Sequence, residues 1–184
     1  MITYSTAKSS SDLNQILELQ KANLKSSISL EEYQKEGFVT LEHDFVLLEE
    51  LNDPYPHIVA MNEKEIIGYA LVTTPEKISS IPLLQSTIEE LKGVKYHQNN
   101  VLSLKYFIMG QVCIDKSYRG QGIFQGLYQK MKDEMKSDFD IIITEIATNN
   151  KRSMRAHEKV GFEILKIHND NDADWAIVGL NLRM

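Results

Sequence analysis

The residues best suited to chemistry lie in one stretch, Gly110 to Lys130, which reads GQVCIDKSYRGQGIFQGLYQK. Its centre, Arg119-Gly120-Gln121-Gly122, follows an apolar run and precedes a helical pattern. Gly120 and Gly122 carry no Cβ, so several backbone N–H groups can converge on one ligand without steric block. The first N–H groups of the helix lack intrahelical partners, and the helix dipole adds partial positive charge there. Such a loop suits a phosphate or pyrophosphate; the plainer alternative is an ordinary turn and helix cap. Spacing removes two familiar phosphate motifs. A G-x-G-x-x-G fingerprint needs glycine where Gln125 stands, and a P-loop needs lysine after Gly126, where Leu127 stands. A second chemical group is Glu145, a carboxylate inside the apolar run FDIIITEIAT, where burial without a purpose or partner is costly. It is a candidate general base; the alternative is a partly solvated or salt-bridged strand-end glutamate.

The surrounding elements must hold these groups in place. Tyr106 to Ile114 reads as a strand, Asp115-Lys116-Ser117 as a turn, and Ile123 to Ser137 as a helix carrying Ile123, Phe124, Leu127 and Met131 on its apolar side. Phe139 to Thr148 reads as a strand buried on both faces, parallel to the one before it and joined by that helix. Asn149-Asn150 caps a further helix ending at Val160-Gly161, and two closing strands follow, Phe162 to Ile167 and Trp175 to Leu182. The acidic segment His168 to Asp172 is expected to be a solvated turn between them. Upstream, Ile2 to Thr6 predicts a strand, and Ser9 to Asp12 caps a helix reaching about Asn23. A second short helix is predicted from Ser29, with Ser29 and Glu32 as a capping box and Gly37 as its stop. Another is predicted from Asp44 to Glu50. Strands at His57–Met61 and Glu65–Thr73 form a hairpin, and Pro82 to Leu91 a helix. VKYHQNN, Val94 to Asn100, reads as a flexible lip.

Composition narrows the class. The 184 residues fit one domain spanning 1–184, since single domains run roughly 100–200 residues. A net charge of −6 argues against nucleic acid as a partner and is compatible with a cationic amine. Cys113 is the only cysteine, which excludes an internal disulfide and fits a reducing compartment. MITYSTAKSS lacks the apolar core of a signal peptide, and no membrane-length apolar run follows, so the cytoplasm is expected and no membrane partner. His43, His57 and His97 are scattered without metal spacing, and the acidic run lacks the distal glutamate of a calcium loop, so no metal is expected.

Arg119-x-x-Gly122, preceded by a buried strand, resembles the pyrophosphate loop Gln/Arg-x-x-Gly-x-Gly/Ala of the GCN5-related N-acetyltransferase (GNAT) superfamily, with Phe124 where a small residue is usual. A second stretch, NKRSMRAHEKVGF from Asn150 to Phe162, is similar to the family's Asn-x-x-Ala-x-x-x-Tyr-x-Lys-x-Gly-Phe. Asn150, Lys159, Gly161 and Phe162 match; Ser153 stands for alanine and His157 for tyrosine. The resemblance covers roughly residues 104 to 165. It implies the GNAT α/β fold: a central mixed, twisted sheet of about seven strands flanked by helices, splayed between the family's fourth and fifth strands. It also implies acetyl-CoA as cosubstrate and an amine acceptor, with much of the acceptor site built by the paired helices after the first strand.

The resemblance also assigns roles. The strand at Val112, Cys113 and Ile114 would supply a backbone N–H to polarise the thioester carbonyl, although Cys113 itself reads as a core side chain. The amides of Arg119, Gly120, Gln121, Gly122 and Ile123, with Phe124 beside them, would hold the pyrophosphate. Asn150 would contact the pantetheine, cap its helix, or both. Glu145 stands five residues before Asn150, a spacing similar to that in acetyltransferases of ribosomal-protein N-termini, where such a glutamate is the base. His157 takes the place of the tyrosine that donates to the departing thiolate; the alternative is a histidine packed near the pantetheine arm. The expected function is therefore an acetyl-CoA-dependent N-acetyltransferase acting on a small amine, an amino acid or a protein N-terminus. A non-catalytic CoA sensor or interaction domain is the alternative. The closing strands could pair between subunits, as in relatives, which admits a homodimer.

Overall fold

The computed structural model describes residues 1–27, 39, 41–170 and 173–183. The helix predicted from Ser29 lies outside them. Strand β1 (Ile2–Thr6) leads into helix α1 (Ser10–Ala22), whose start is fixed by a capping box. There Ser9 Oγ accepts from Asp12 N at 3.2 Å while Asp12 Oδ2 accepts from Ser9 N at 3.0 Å. These bonds satisfy donors that a helix start leaves orphaned. Helix α2 (Phe45–Leu51) is capped by Asp44, as its sequence predicts. Strands β2 (Ile58–Asn62) and β3 (Glu65–Thr73) form the expected hairpin, and α3 (Pro82–Glu90) the expected helix.

The segment read as a flexible lip is ordered differently. Lys95–Tyr96 (β4) and Asn99–Asn100 (β5) pair antiparallel as a small hairpin of their own. His97 sits at its turn with φ 52°, the left-handed conformation that a tight reversal demands. Beyond it run β6 (Tyr106–Ile114), α4 (Ile123–Met135), β7 (Ile141–Ala147), α5 (Lys151–Val160), β8 (Glu163–Asp170) and β9 (Ala173–Asn181). The closing strands are longer than the sequence suggested. His168, Asn169 and Asp170 continue β8 and pair with Trp175, Asp174 and Ala173, so these three residues are ladder and not turn. An edge strand tolerates such polar residues because one of its sides needs no partner strand.

The seven long strands form one mixed sheet in the order β1-β2-β3-β6-β7-β9-β8, flanked by helices. The β6–β7 pair is parallel, from Tyr106↔Ile141 to Ile108↔Ile143. Just past it, Thr144 Oγ1 donates to the Met109 carbonyl at 2.8 Å. By internal packing the chain divides into two compact units: Met1–Val72 with Gln111–Asp133, and Thr73–Gly110 with Glu134–Met184. In the first, Leu13, Ile16 and Leu19 of α1 bury against Val59, Tyr69, Leu71 and Cys113. In the second, Leu91, Tyr96 and Val101 of the long connection bury against Ile141, Ile143 and Ile177 of the sheet. That connection is therefore core-forming, as the rarity of long structureless loops in compact domains requires.

Candidate active site

The glycine loop belongs to the first unit. Asp115 N donates to the Ile67 carbonyl at 2.8 Å, ending β6, and Asp115 Oδ1 accepts from Ser117 N at 2.8 Å to cap a single turn, Lys116–Tyr118. Arg119 then fixes where the loop lies. Its Nε donates to the Ile114 carbonyl at 3.2 Å and its Nη2 to Asn23 Oδ1, at the end of α1, at 2.8 Å. Gly120 and Gly122 both adopt left-handed backbone, φ 77° and 81°, which a Cβ would strain. A Cβ built at either would meet no protein atom within 4 Å, so the space over the loop is open to a ligand. Among the described residues, the amides of Gly120, Gln121, Gly122 and Ile123 donate to no protein acceptor. No acidic residue occupies the first turn of α4 to compete for them. These residues fit a diphosphate: clustered open donors, a positive helix end and a surface free of side chains.

Around that loop the side chains are structural. Ile123 and Cys113 are buried, Val112 and Ile114 half-buried, and burial pushes the Cys113 thiol up to about 12. That thiol stays protonated and behaves as a small core group. Phe124, which replaces the usual small residue, lays its half-buried ring 5.0 Å from that of the fully buried Tyr128 on the same helix. Beside β6 lies a buried polar network that the sequence did not reveal. Gln111 Oε1 accepts from Tyr69 Oη at 2.6 Å and from Gln20 Nε2 at 2.9 Å, and its Nε2 donates to the Leu41 carbonyl at 2.8 Å. Gln20 also engages His43, accepting from its backbone N at 2.8 Å and donating to Nδ1 at 2.9 Å.

The second unit holds Glu145, Asn150 and His157. Glu145 accepts from both sides: Thr87 Oγ1 of α3 donates to Oε2 at 2.7 Å, and His168 Nε2 of β8 donates to Oε1. The side chains of His168 and Glu145 are 10% and 19% exposed, so this ion-pair geometry is largely shielded. Both Glu145 oxygens are thus hydrogen-bonded within the fold, one of them by a residue of turn-like composition. Asn150 caps α5, its Oδ1 accepting from Ser153 N at 3.0 Å, and Gly161 ends the helix in left-handed conformation. His157 is 2% exposed, and its ring stands edge-on to Phe162 with centroids 5.0 Å apart. Its Nδ1 lies 2.9 Å from the Ser153 carbonyl, which can only accept, so Nδ1 carries the ring proton. Burial lowers the His157 pKa to about 4, leaving a neutral ring whose Nε2 is an acceptor.

A model of the acetyltransferase (GNAT) family matches residues 13–162. The chain belongs to this family. The GNAT chain also shares its fold with solved acetyltransferases. The ribosomal-protein-S18-alanine N-acetyltransferase of Escherichia coli superposes with a TM-score of 0.64 at 13% identity, covering 100% of this chain and 96% of that one. For yncA of Salmonella typhimurium, solved with its cofactor acetyl-CoA, the values are 0.63, 16%, 100% and 95%. For an N-acetyltransferase of Staphylococcus aureus Mu50 they are 0.63, 19%, 100% and 99%. At such identities the likeness is one of fold. No curated protein matches the chain. Among the described residues there is no cluster of three His, Cys, Asp or Glu side chains able to hold a metal, and no helix long and apolar enough to cross a membrane.

Proposed function

We propose that this GNAT chain acts over its whole length as one acetyltransferase domain, transferring the acetyl group of acetyl-CoA to a primary amine by direct attack. The observation that carries the reading is the loop Arg119–Ile123, where open amides and two left-handed glycines leave a donor-lined surface beside a helix N-terminus. In this reading those amides hold the CoA pyrophosphate, and a backbone N–H of Val112 to Ile114 polarises the thioester carbonyl. A preorganised donor of that kind contributes about 3–4 kcal/mol to the transition state. Glu145 anchors proton removal from the acceptor ammonium. The amine nitrogen then attacks the thioester carbon, a C–N bond forms and the C–S bond breaks. The second nitrogen proton leaves with the sulfur as free CoA thiol. His157, neutral and tied to its own helix, serves in this reading as a packing group against Phe162. A protein N-terminus is one acceptor class to test first, because a fold relative is an alanine N-acetyltransferase of a ribosomal protein. The reducing environment that suits Cys113 is consistent with a cytoplasmic enzyme.

The same His157 geometry favours a second reading, a GNAT fold that binds CoA without turning it over, because the family's tyrosine donor is absent. Thiol release from acetyl-CoA decides between them. The acceptors are an alanine-initiated peptide, free lysine and an aliphatic diamine. Release dependent on one of these amines supports transfer; CoA binding without release from any of them supports the sensor.

A further inference from the structure

Glu145 is doubly occupied, which changes what it can do. Thr87 takes Oε2 and His168 takes Oε1, so neither carboxylate oxygen is left facing an acceptor amine without a bond already made. The imidazole has the opposite character. Its Nε2–H points to Glu145, while Nδ1 has no hydrogen-bond partner among the described residues. No buried side-chain nitrogen or oxygen among them is left unsatisfied, so Nδ1 reaches solvent. A ring held with Nε2–H toward a carboxylate presents a lone pair at Nδ1.

We infer that His168 is the proton acceptor for the acetyl transfer, and that Glu145, clamped by Thr87, positions and stabilises the imidazole. This inference rests on the acetyltransferase reading. One N–H bond of the acceptor ammonium breaks and its proton passes to Nδ1, giving an imidazolium whose positive charge faces the Glu145 carboxylate. The neutral amine attacks acetyl-CoA, and the imidazolium later returns the proton to solvent. The carboxylate orients the ring and offsets its charge without itself gaining a proton, the arrangement that serves a histidine base elsewhere in enzyme chemistry. The groups around the imidazole have been assigned other partners. Glu90 of α3, which feels the charge of His168, is paired with Lys166 of β8 at 2.7 Å. From β9, Trp175 stands opposite His168, and Asp174 accepts from Asn169 Nδ2 at 3.0 Å.

The test compares full-length wild type, His168→Gln and Glu145→Gln in thiol release from acetyl-CoA with the three amines above, with kcat, KM and melting temperature recorded for each. Loss of a general base costs ~10²–10⁴-fold. The expected result is that His168→Gln loses kcat by that factor with its KM for acetyl-CoA unchanged. Glu145→Gln keeps measurable turnover, with a lowered kcat and an unchanged KM for acetyl-CoA because the imidazole has lost its orienting partner. Acetyl-CoA binding is expected to be unchanged in both variants. Near-normal kcat in His168→Gln would overturn the role of His168 while leaving acetyl transfer standing. Complete loss in Glu145→Gln with mild loss in His168→Gln would return the base to Glu145. If His168→Gln fails to fold, His168→Asn is read in the same assay. A wild type that releases thiol with none of the three amines overturns the inference together with the reading beneath it.

Discussion

Thr87 Oγ1, buried on α3, donates to Glu145 Oε2 on β7 at 2.7 Å across 58 residues of sequence. The long connection after β3 thus supplies a polar contact as well as packing. It delivers a hydroxyl that fixes one oxygen of the carboxylate while His168 takes the other. Replacing Thr87 by valine keeps the volume and removes the donor. Hydrogen bonds to charged groups are worth about 1.5–3 kcal/mol, and partial exposure of Glu145 places this one toward the low end. Thr87→Val is expected to lower stability by roughly that amount in urea titration and to slow transfer without weakening acetyl-CoA binding.

The Gln111 network separates two substitutions that look equally conservative. Tyr69→Phe removes one donor, and Gln111 Oε1 keeps its bond from Gln20. Gln111→Leu removes at once the acceptor of the Tyr69 hydroxyl, the acceptor of one Gln20 N–H and the donor to the Leu41 carbonyl. Each unsatisfied buried group costs about 1–3 kcal/mol. Unfolding free energies from urea titration are expected to fall by about 1 kcal/mol for Tyr69→Phe and by several times that for Gln111→Leu.

Acid should destabilise the fold through three buried histidines. Burial lowers His43, His57 and His157 to about 4 in each case. In His57, Nδ1 accepts from Val72 N at 3.1 Å and Nε2 meets the Leu48 carbonyl at 3.2 Å, so a second ring proton would break a bond as well as bury a charge. The unfolded chain protonates these rings near ~6.5. Above that pH both states are neutral and nothing changes. As pH falls from ~6.5 toward the folded values the unfolded state binds more protons, so stability is lost across that window. The slope is at most about 1.4 kcal/mol per pH unit for each histidine. Urea unfolding at about pH 7.5 and about pH 5 measures it, and replacing a buried histidine by glutamine should flatten the difference.

His157→Phe distinguishes packing from acid catalysis. The ring is neutral, its proton is on Nδ1, and it stacks edge-on to Phe162. Turnover of His157→Phe is therefore expected to stay within about tenfold of wild type, with an unchanged alkaline limb. An acid donor would cost ~10²–10⁴-fold in kcat.

Much of this was legible in the sequence because local signals and tertiary outcome agree. Ser9 and Asp12 box the start of α1, Asp44 caps α2, Asn150 caps α5, and β6 runs from Tyr106 to Ile114 as its apolar pattern implies. The glycine loop was legible for the same reason: Gly120 and Gly122 are glycines because their backbone is left-handed. What escaped was set by contacts between distant residues. His168-Asn169-Asp170 has turn composition, yet the segment is held as strand by pairing with β9, and only that pairing brings His168 to Glu145. Thr87 and Gln111 lie in elements whose sequence pattern is plain, but Thr87 meets Glu145 58 residues away and Gln111 meets Gln20 91 residues away, beyond the reach of periodicity. His157 carried a family position, and its neutral state follows from burial that no spacing reports.

The most direct test of the account is calorimetric titration of acetyl-CoA into wild type and Gly122→Val. A Cβ at Gly122 meets no protein atom within 4 Å, so the new side chain would fill the ligand's space and strain only its own backbone. Wild type is expected to bind, and the variant to remain folded while losing affinity at least about tenfold, some 1.4 kcal/mol. Equal affinity in the two proteins, or no binding by wild type, would contradict the assignment of the loop to CoA.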